Sequence, residues 1–375
     1  MHELTPPEGR TPEANKKHWK KTALQTCEVG LEDPLVHVMH HYDLQKRVIK
    51  LEKALKIPMR LKHDFGHVRL AKPVEVTVYG VRIEREGPPR PQSRNSNPFR
   101  RNSSPGLNTT RRGAKTIWLD PAVVTDAPNT TSPNTNNNDD DKDADDENGG
   151  TRSAATTATT PTATSHDPSA ECSVEAMCLT HYRQQGWKGY HAESSLLRTL
   201  FAYLFYDILF LYLPNVFQTP YQTCPLDLHT DAFYPSRRSE INARLAEISN
   251  GEARGIVRRV WSEQQERRTC VVGLDWTFDI VDLEEIVGCW DGGALAVVCK
   301  VLCQEYAQRG GGVPDLFLWR PSADGRGKGE VKLAEVKSEN DRLSDTQRLW
   351  IHVLTGAGVG VELCNAVAKE VRVVQ

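Results

Sequence analysis

Residues 310–337 read GGGVPDLFLWRPSADGRGKGEVKLAEVK, and the fold is decided there. Leu316–Arg320 and Val331–Ser338 are two short apolar runs. They are separated by Pro321–Gly329, a segment with three glycines, which is the pattern of two strands joined by a hairpin turn. Asp315 stands at the start of the first strand, and Glu335 follows after nineteen intervening residues. The hairpin brings these two carboxylates to neighbouring strands. Side chains alternate along a strand, so Glu335 and Lys337 share a face. Gly310, Gly311 and Gly312 precede Asp315, where bare backbone can approach a ligand closely.

Two acids and a lysine at one sheet edge have a definite chemistry. Oxygen ligands suit Mg²⁺ or Mn²⁺, commonly with two carboxylates where a phosphate completes the shell. Lys337 is then placed to hold the attacking water and to offset charge on the transferring phosphate, which is metal-assisted phosphodiester hydrolysis. The same string on an ordinary surface hairpin is only an ion pair between residues two apart. The glycines and the apolar character of both strands favour the metal site.

Outward from the hairpin, Ser344–Leu354 reads as a helix opened by the capping box Ser344-Asp345-Thr346-Gln347, and Val359–Cys364 as a final strand. Upstream, apolar periodicity predicts helices over 173–182, from Glu193 onward, over 239–248 and 253–264, over Asp282–Val287 and over Ala294–Arg309. A loop rich in Pro, Asp and aromatics is expected over Pro214–Arg238. Leu196–Leu213 is eighteen residues long and mostly apolar, but Arg198 and Asp207 interrupt it. Either charge would be expensive at a bilayer centre, so the stretch is expected to be one buried core helix rather than a membrane span. In the first part of the chain, Leu44, Val48, Leu51 and Leu55 predict a helix stopped by Pro58, and Val74–Arg82 a strand. The expected division is a partly ordered helical region with a short β segment at 1–86, a low-complexity, largely disordered linker at 87–170, and the main domain at 171–375. Within that linker, residues 87–114 are basic and rich in Pro, Ser and Asn, Thr116–Val124 is a short apolar island, and 125–170 carries too few large apolar groups to offset ordering entropy.

The formal net charge is −2, from 47 Lys and Arg against 49 Asp and Glu. The run Asp139–Glu147 holds seven acids and one lysine, and without it the remainder stands at +4. The overall balance excludes an overtly basic chain without excluding a polyanionic partner. Mean hydropathy is −0.53, low for a wholly folded chain. Nine scattered cysteines with no CxxC pair argue against a disulfide scaffold and for a reducing compartment. The opening MHELTPPEGR has no apolar core of a signal peptide. Weaker patterns are set aside. His37, His40 and His41 have no cysteine or acid at ligand spacing except Asp43. Cys299 and Cys303 read as core thiols. Gly356, Gly358 and Gly360 follow a helix and precede a strand, the reverse of a phosphate-cradling loop.

Three segments, GGGVPDLFLWRP, LAEVKSENDRLSDTQRLWIHVL and GVGVELCNAV, together resemble the VRR-type nuclease domain, a branch of the PD-(D/E)xK superfamily. CSVEAMCLTHYRQQGWKGYHAESSLLRTLFAYLFYDILF and YQTCPLDLHTDAFYPSRRSEINARL are similar to the Fanconi-associated nuclease family in particular. The resemblance spans 171–375, with a VRR-type core at about 258–375, and extends more weakly to the helical segment at 7–70. It implies an α/β fold, a restriction-endonuclease-like PD-(D/E)xK core with a preceding α-helical region and long disordered linkers. It implies Asp315, Glu335 and Glu193 as metal ligands with the Val336 carbonyl as a further ligand, Lys337 as the catalytic lysine and Gln347 beside it. Gln222, Arg237 and Arg238 match family positions near the centre, the arginines suiting phosphate contact. Glu193 by itself could equally be a favourable charge at a helix N-terminus, Gln222 an ordinary loop amide, and the arginine pair a helix cap. Thr346 stands where many relatives have a basic residue. The resemblance further implies Mg²⁺ or Mn²⁺ as cofactor and flaps, branched or crosslinked DNA as substrate. Cleavage would be 5′-flap endonuclease and 5′-to-3′ exonuclease action of the phosphodiesterase I type, in interstrand crosslink repair in the nucleus beside crosslink-repair proteins. A four-way-junction resolvase or restriction-type endonuclease, and a catalytically inactive DNA-binding scaffold, are the other readings.

Overall fold

The computed structural model describes residues 11–66, 69–85, 116–122, 170–322, 328–339 and 341–374. Most of the expected linker at 87–170 therefore lies outside the described residues. The chain divides into two compact units, one of Met1–Tyr79 with His181–Val367 and a smaller one of Gly80–Thr180 with Ala368–Gln375.

In chain order the helices and strands are α1 (Pro12–Glu32), α2 (Val38–Leu55), β1 (Val74–Arg85), β2 (Ile117–Leu119), β3 (Glu171–Cys172), α3 (Val174–Gln184), β4 (Lys188–His191), α4 (Glu193–Leu204) and α5 (Tyr206–Leu209). They continue as α6 (Phe233–Ser236), α7 (Arg238–Ser249), α8 (Ala253–Gln264), α9 (Ile280–Cys289), α10 (Gly292–Glu305), β5 (Leu316–Arg320), β6 (Glu330–Lys337), α11 (Asp345–Gly356) and β7 (Gly360–Val374).

In the larger unit the predicted hairpin forms. β5 pairs antiparallel with β6, Leu316 opposite Ala334 and Arg320 opposite Glu330. Four of the five β5 residues are buried, as a strand covered on both faces requires. β4 adds antiparallel to the other side of β5, His191 opposite Leu316. β7 adds to β6 in parallel, Glu335 opposite Leu363, because the chain returns through the crossover helix α11. Glu335, Val336 and Lys337 thus end a strand at the edge where the crossover begins, the usual side for a ligand in such a sheet. Around the sheet pack the apolar faces of α4, α8, α9, α10 and α11, with Leu200, Val257, Leu283, Val298 and Trp350 among the buried residues. In the smaller unit β1, β2 and β3 pair antiparallel, Arg82 with Trp118 and Trp118 with Cys172, over Ile83, Leu119 and Ala170.

Local signals explain the element boundaries. Thr11 Oγ1 accepts from Ala14 N at 3.3 Å with Pro12 in the first turn of α1, a 21-residue helix not singled out from the sequence. Asp279 and Asp291 cap α9 and α10. Ser344 and Gln347 complete the capping box of α11. The apolar island yields only the three-residue β2, β7 runs ten residues past its expected end to Val374, and α6 and a turn of 3₁₀ helix at Leu226–His229 interrupt the expected loop.

One expectation needs correction. Leu196–Leu213 is not a single helix, because it breaks at Phe205, between α4 and α5. The buried Arg244 of α7 donates to the Leu204 carbonyl and pairs with Asp207 at 2.6 Å, while Asp207 Oδ1 accepts from Ile208 N at 3.1 Å. A cation inserted at that point competes with the helical ladder for its carbonyl. Among the described residues no single helix is long and apolar enough to cross a membrane. The consecutive helices α9 and α10 reach that apolar length only together, across a bend of 110°.

Gly312 shows how tightly the strand entry meets α11. It has φ of +85°, and a Cβ added there would lie 2.8 Å from the Thr346 carbonyl carbon and 2.9 Å from Gln347 N. Gly312→Ala is therefore expected to destabilise by about 1–3 kcal/mol, a fall in Tm of several degrees readable by thermal melting. An unchanged Tm would mean that this approach is not tight.

Candidate metal centre

Three segments converge on Asp315. Its backbone carbonyl accepts from Ala192 N at 3.2 Å and Glu193 N at 3.3 Å, which ties the β4–α4 junction to the start of β5. Its carboxylate Oδ2 accepts from Val336 N at 2.8 Å, which ties it to the end of β6. Glu193, the first residue of α4, is held at φ +43°, a left-handed conformation costly for a residue with a Cβ. Single strained residues of this kind concentrate where function demands a particular direction. In the structure the turn sends the Glu193 carboxylate towards Asp315. One ring nitrogen of His191 and one carboxylate oxygen each of Glu193 and Asp315 lie within 4.8 Å of one another.

Behind this group sits Glu335, with its side chain 0 % exposed. Its Oε1 pairs with Lys337 Nζ at 2.7 Å and accepts from Gln347 Nε2. Its Oε2 is buried and accepts no hydrogen bond. Burial, and then the neighbouring Asp315 charge, push its pKa up to about 7, against the opposing pull of Lys337. A buried carboxylate oxygen without a donor, next to a second acid, is a poor arrangement for a protein alone and a good one around a divalent cation, so the residues present fit Mg²⁺ or Mn²⁺. A cleft of about 550 Å³ opens beside the three-residue group, lined by Glu193, Ser194, Arg198, Leu274 and Asp275 among others.

The sequence-derived candidates divide clearly. Glu193, Asp315, Glu335, Lys337 and Gln347 are brought together, and the Val336 N–H is part of the same knot. Gln347 does two things at once, closing the capping box through Oε1 and donating to Glu335 through Nε2. Arg237 is a correction. It is 0 % exposed, pairs with Asp227 at 2.6 Å and lies over the Phe233 ring at 4.6 Å, so no surface is left for a phosphate. Its neighbour Arg238 is exposed. Gln222 organises its own loop, donating to the Val216 and Cys224 carbonyls at 3.0 and 3.2 Å and accepting from Gln218 N and Thr219 N. His191 was missed by sequence reasoning. Its signal, a histidine two residues before Glu193 at a strand-to-helix junction, carries weight only once the β4–β5 pairing is known.

Residues 249–368 match the VRR-NUC domain. The chain is 35 % identical over 349 residues to a Fanconi-associated nuclease 1 homolog of Schizosaccharomyces pombe, which covers 93 % of this chain and 39 % of that protein. Over 198 residues it is 42 % identical to a homolog from Arabidopsis thaliana, covering 52 % of this chain and 22 % of that one. To Fanconi-associated nuclease 1 of Homo sapiens it is 38 % identical over 202 residues, covering 52 % and 19 % respectively. The fold is similar to a crystal structure of paFAN1 bound to DNA with a two-nucleotide 5′ flap and a gap. That match has a TM-score of 0.62 at 17 % identity and covers 94 % of this chain and 46 % of that one. The chain is thus similar to the Fanconi-associated nuclease family over 93 % of its length, and it spans less than half the length of these relatives.

Two outcomes follow from the site's electrostatics. The fold favours protonated Glu335, so the stability this group contributes is complete below pH 4.5 and lost as pH rises through about 7. In metal-free buffer at pH 8, Glu335→Gln is expected to be more stable than wild type by on the order of 2–3 kcal/mol, with the difference vanishing near pH 4. A wild type that melts no lower than the variant at pH 8 would contradict the charge-burial account. At position 193, Glu193→Gly is expected to exceed Glu193→Ala in stability by about 1–2 kcal/mol, measured by chemical denaturation, because only glycine accepts the left-handed turn freely.

Proposed function

We propose that the chain is a divalent-metal-dependent, structure-specific DNA nuclease that hydrolyses phosphodiester bonds in branched DNA. The observation that carries the reading is the approach of the Glu193 and Asp315 carboxylates at one sheet edge, with the buried Glu335 next to Asp315 and paired with Lys337. Glu193, Asp315, Glu335 and the Val336 carbonyl would hold Mg²⁺ or Mn²⁺. When bound, the ion supplies a Lewis acid that polarises the scissile phosphate and lowers the pKa of a coordinated water.

The chain's own groups do the rest. Glu335 is kept in place by Gln347, so the crossover helix cannot shift without disturbing the site. The Lys337 ammonium, with its side chain 15 % exposed, faces the edge and can orient the attacking water and offset phosphate charge. Arg238 is exposed and available for a backbone phosphate, a contact that grips without reading sequence. The kinship with Fanconi-associated nucleases supports 5′-flap cleavage and 5′-to-3′ exonuclease action in interstrand crosslink repair, in the nucleus. The paFAN1 complex with flap DNA supports the same substrate class.

Asp315→Ala and Lys337→Ala are the direct test, in a 5′-flap cleavage assay with Mg²⁺ or Mn²⁺. Each is expected to lower the cleavage rate by about 10²-fold or more. Undiminished cleavage by either variant would refute the site.

A further inference from the structure

We propose that His191 is a nitrogen ligand of the same ion, and that its imidazole tips the centre towards Mn²⁺. The inference rests on the metal-centre reading above. His191 is the last residue of β4 and is exposed, where the strand stops and the chain turns into α4. The turn is pinned by the two hydrogen bonds from Ala192 and Glu193 to the Asp315 carbonyl, at 3.2 and 3.3 Å. Strand pairing holds His191 opposite Leu316, the residue next to Asp315. The imidazole is thereby carried to the two carboxylates, with one nitrogen and two oxygens within 4.8 Å of one another. Next to Asp315, the fully buried Glu335 has an Oε2 with no hydrogen-bond donor, a second acid facing the same residue.

The ligand chemistry sets the consequence. Mg²⁺ is a hard ion that prefers oxygen and gives up its waters reluctantly, whereas imidazole suits the transition metals. Three carboxylates and a carbonyl make a site that either ion can use. Adding one nitrogen strengthens Mn²⁺ more than Mg²⁺, because Mn²⁺ accepts the softer donor. His191 is therefore a selectivity residue at this centre, set by the same turn that strains Glu193.

The test uses the full chain and Mn²⁺ alone, without DNA. Pulsed electron paramagnetic resonance of bound Mn²⁺ should show ¹⁴N modulation in wild type and none in His191→Ala. Titrations should show Mn²⁺ affinity falling at least about tenfold in that variant, with Mg²⁺ affinity falling less. Because His191 is exposed, the variant should melt as wild type does. Modulation absent from wild type, or persisting unchanged in His191→Ala, would overturn the assignment while leaving the metal centre standing. Asp315→Asn separates the two ideas. Mn²⁺ binding undiminished in that variant, or absent from wild type, would remove the centre itself and this inference with it.

Discussion

Asp315 is where the main unit's chain segments are held to one another. A single residue offers its carbonyl to the turn that opens α4 and its carboxylate to the end of β6. The first contact sets where Glu193 points, and the second sets the distance between Asp315 and the Glu335-Val336-Lys337 strand end. Everything that gives the edge its chemistry is therefore referred to one backbone position. The close approach of Gly312 to Thr346 and Gln347 fastens α11 to the same entry point, so the helix that supplies Gln347 is positioned by the strand that supplies Asp315.

This organisation sets stability against readiness. Glu335 is buried next to another acid, and one of its oxygens accepts no hydrogen bond. Lys337 and Gln347 satisfy the other oxygen, which limits the penalty without removing it, as the pKa near 7 records. Glu193 adds backbone strain to the same place. The first defect is of the kind that a cation would relieve, and the second is the cost of the turn that carries Glu193 to Asp315. The polar clusters elsewhere behave differently. Arg244 with Asp207 and Glu247 and Lys332 with Glu362 are paired and hold the framework, whereas Arg237, though paired with Asp227, keeps Nε and Nη2 buried without an acceptor. Charge alone does not mark a functional position in this protein.

Much of this was legible in the sequence for identifiable reasons. The hairpin carries its own turn chemistry and strand periodicity, and the box at Ser344 is a local hydrogen-bond pattern written in four residues. Where a neighbour intervened from far along the chain, the reading failed. The apolar run after Glu193 looked continuous because nothing within it predicts that Arg244, some forty residues on, captures the Leu204 carbonyl. Arg237 looked like a phosphate contact because the sequence does not reveal that Asp227 and Phe233 enclose it. His191 went unremarked for the same cause, since its partner Asp315 is brought to it only by β4–β5 pairing.

By itself the sequence placed its candidate residues Asp315, Glu335, Lys337 and Gln347 within one hairpin and the helix after it. Strand alternation and capping are local rules that need no knowledge of distant contacts. Tertiary structure decided which other side chains join them. The strand pairing that delivers His191, the left-handed turn that aims Glu193 and the burial that withdraws Arg237 all depend on segments far apart in the chain. Such placements follow from packing and long-range hydrogen bonds, and periodicity along one segment carries no trace of them.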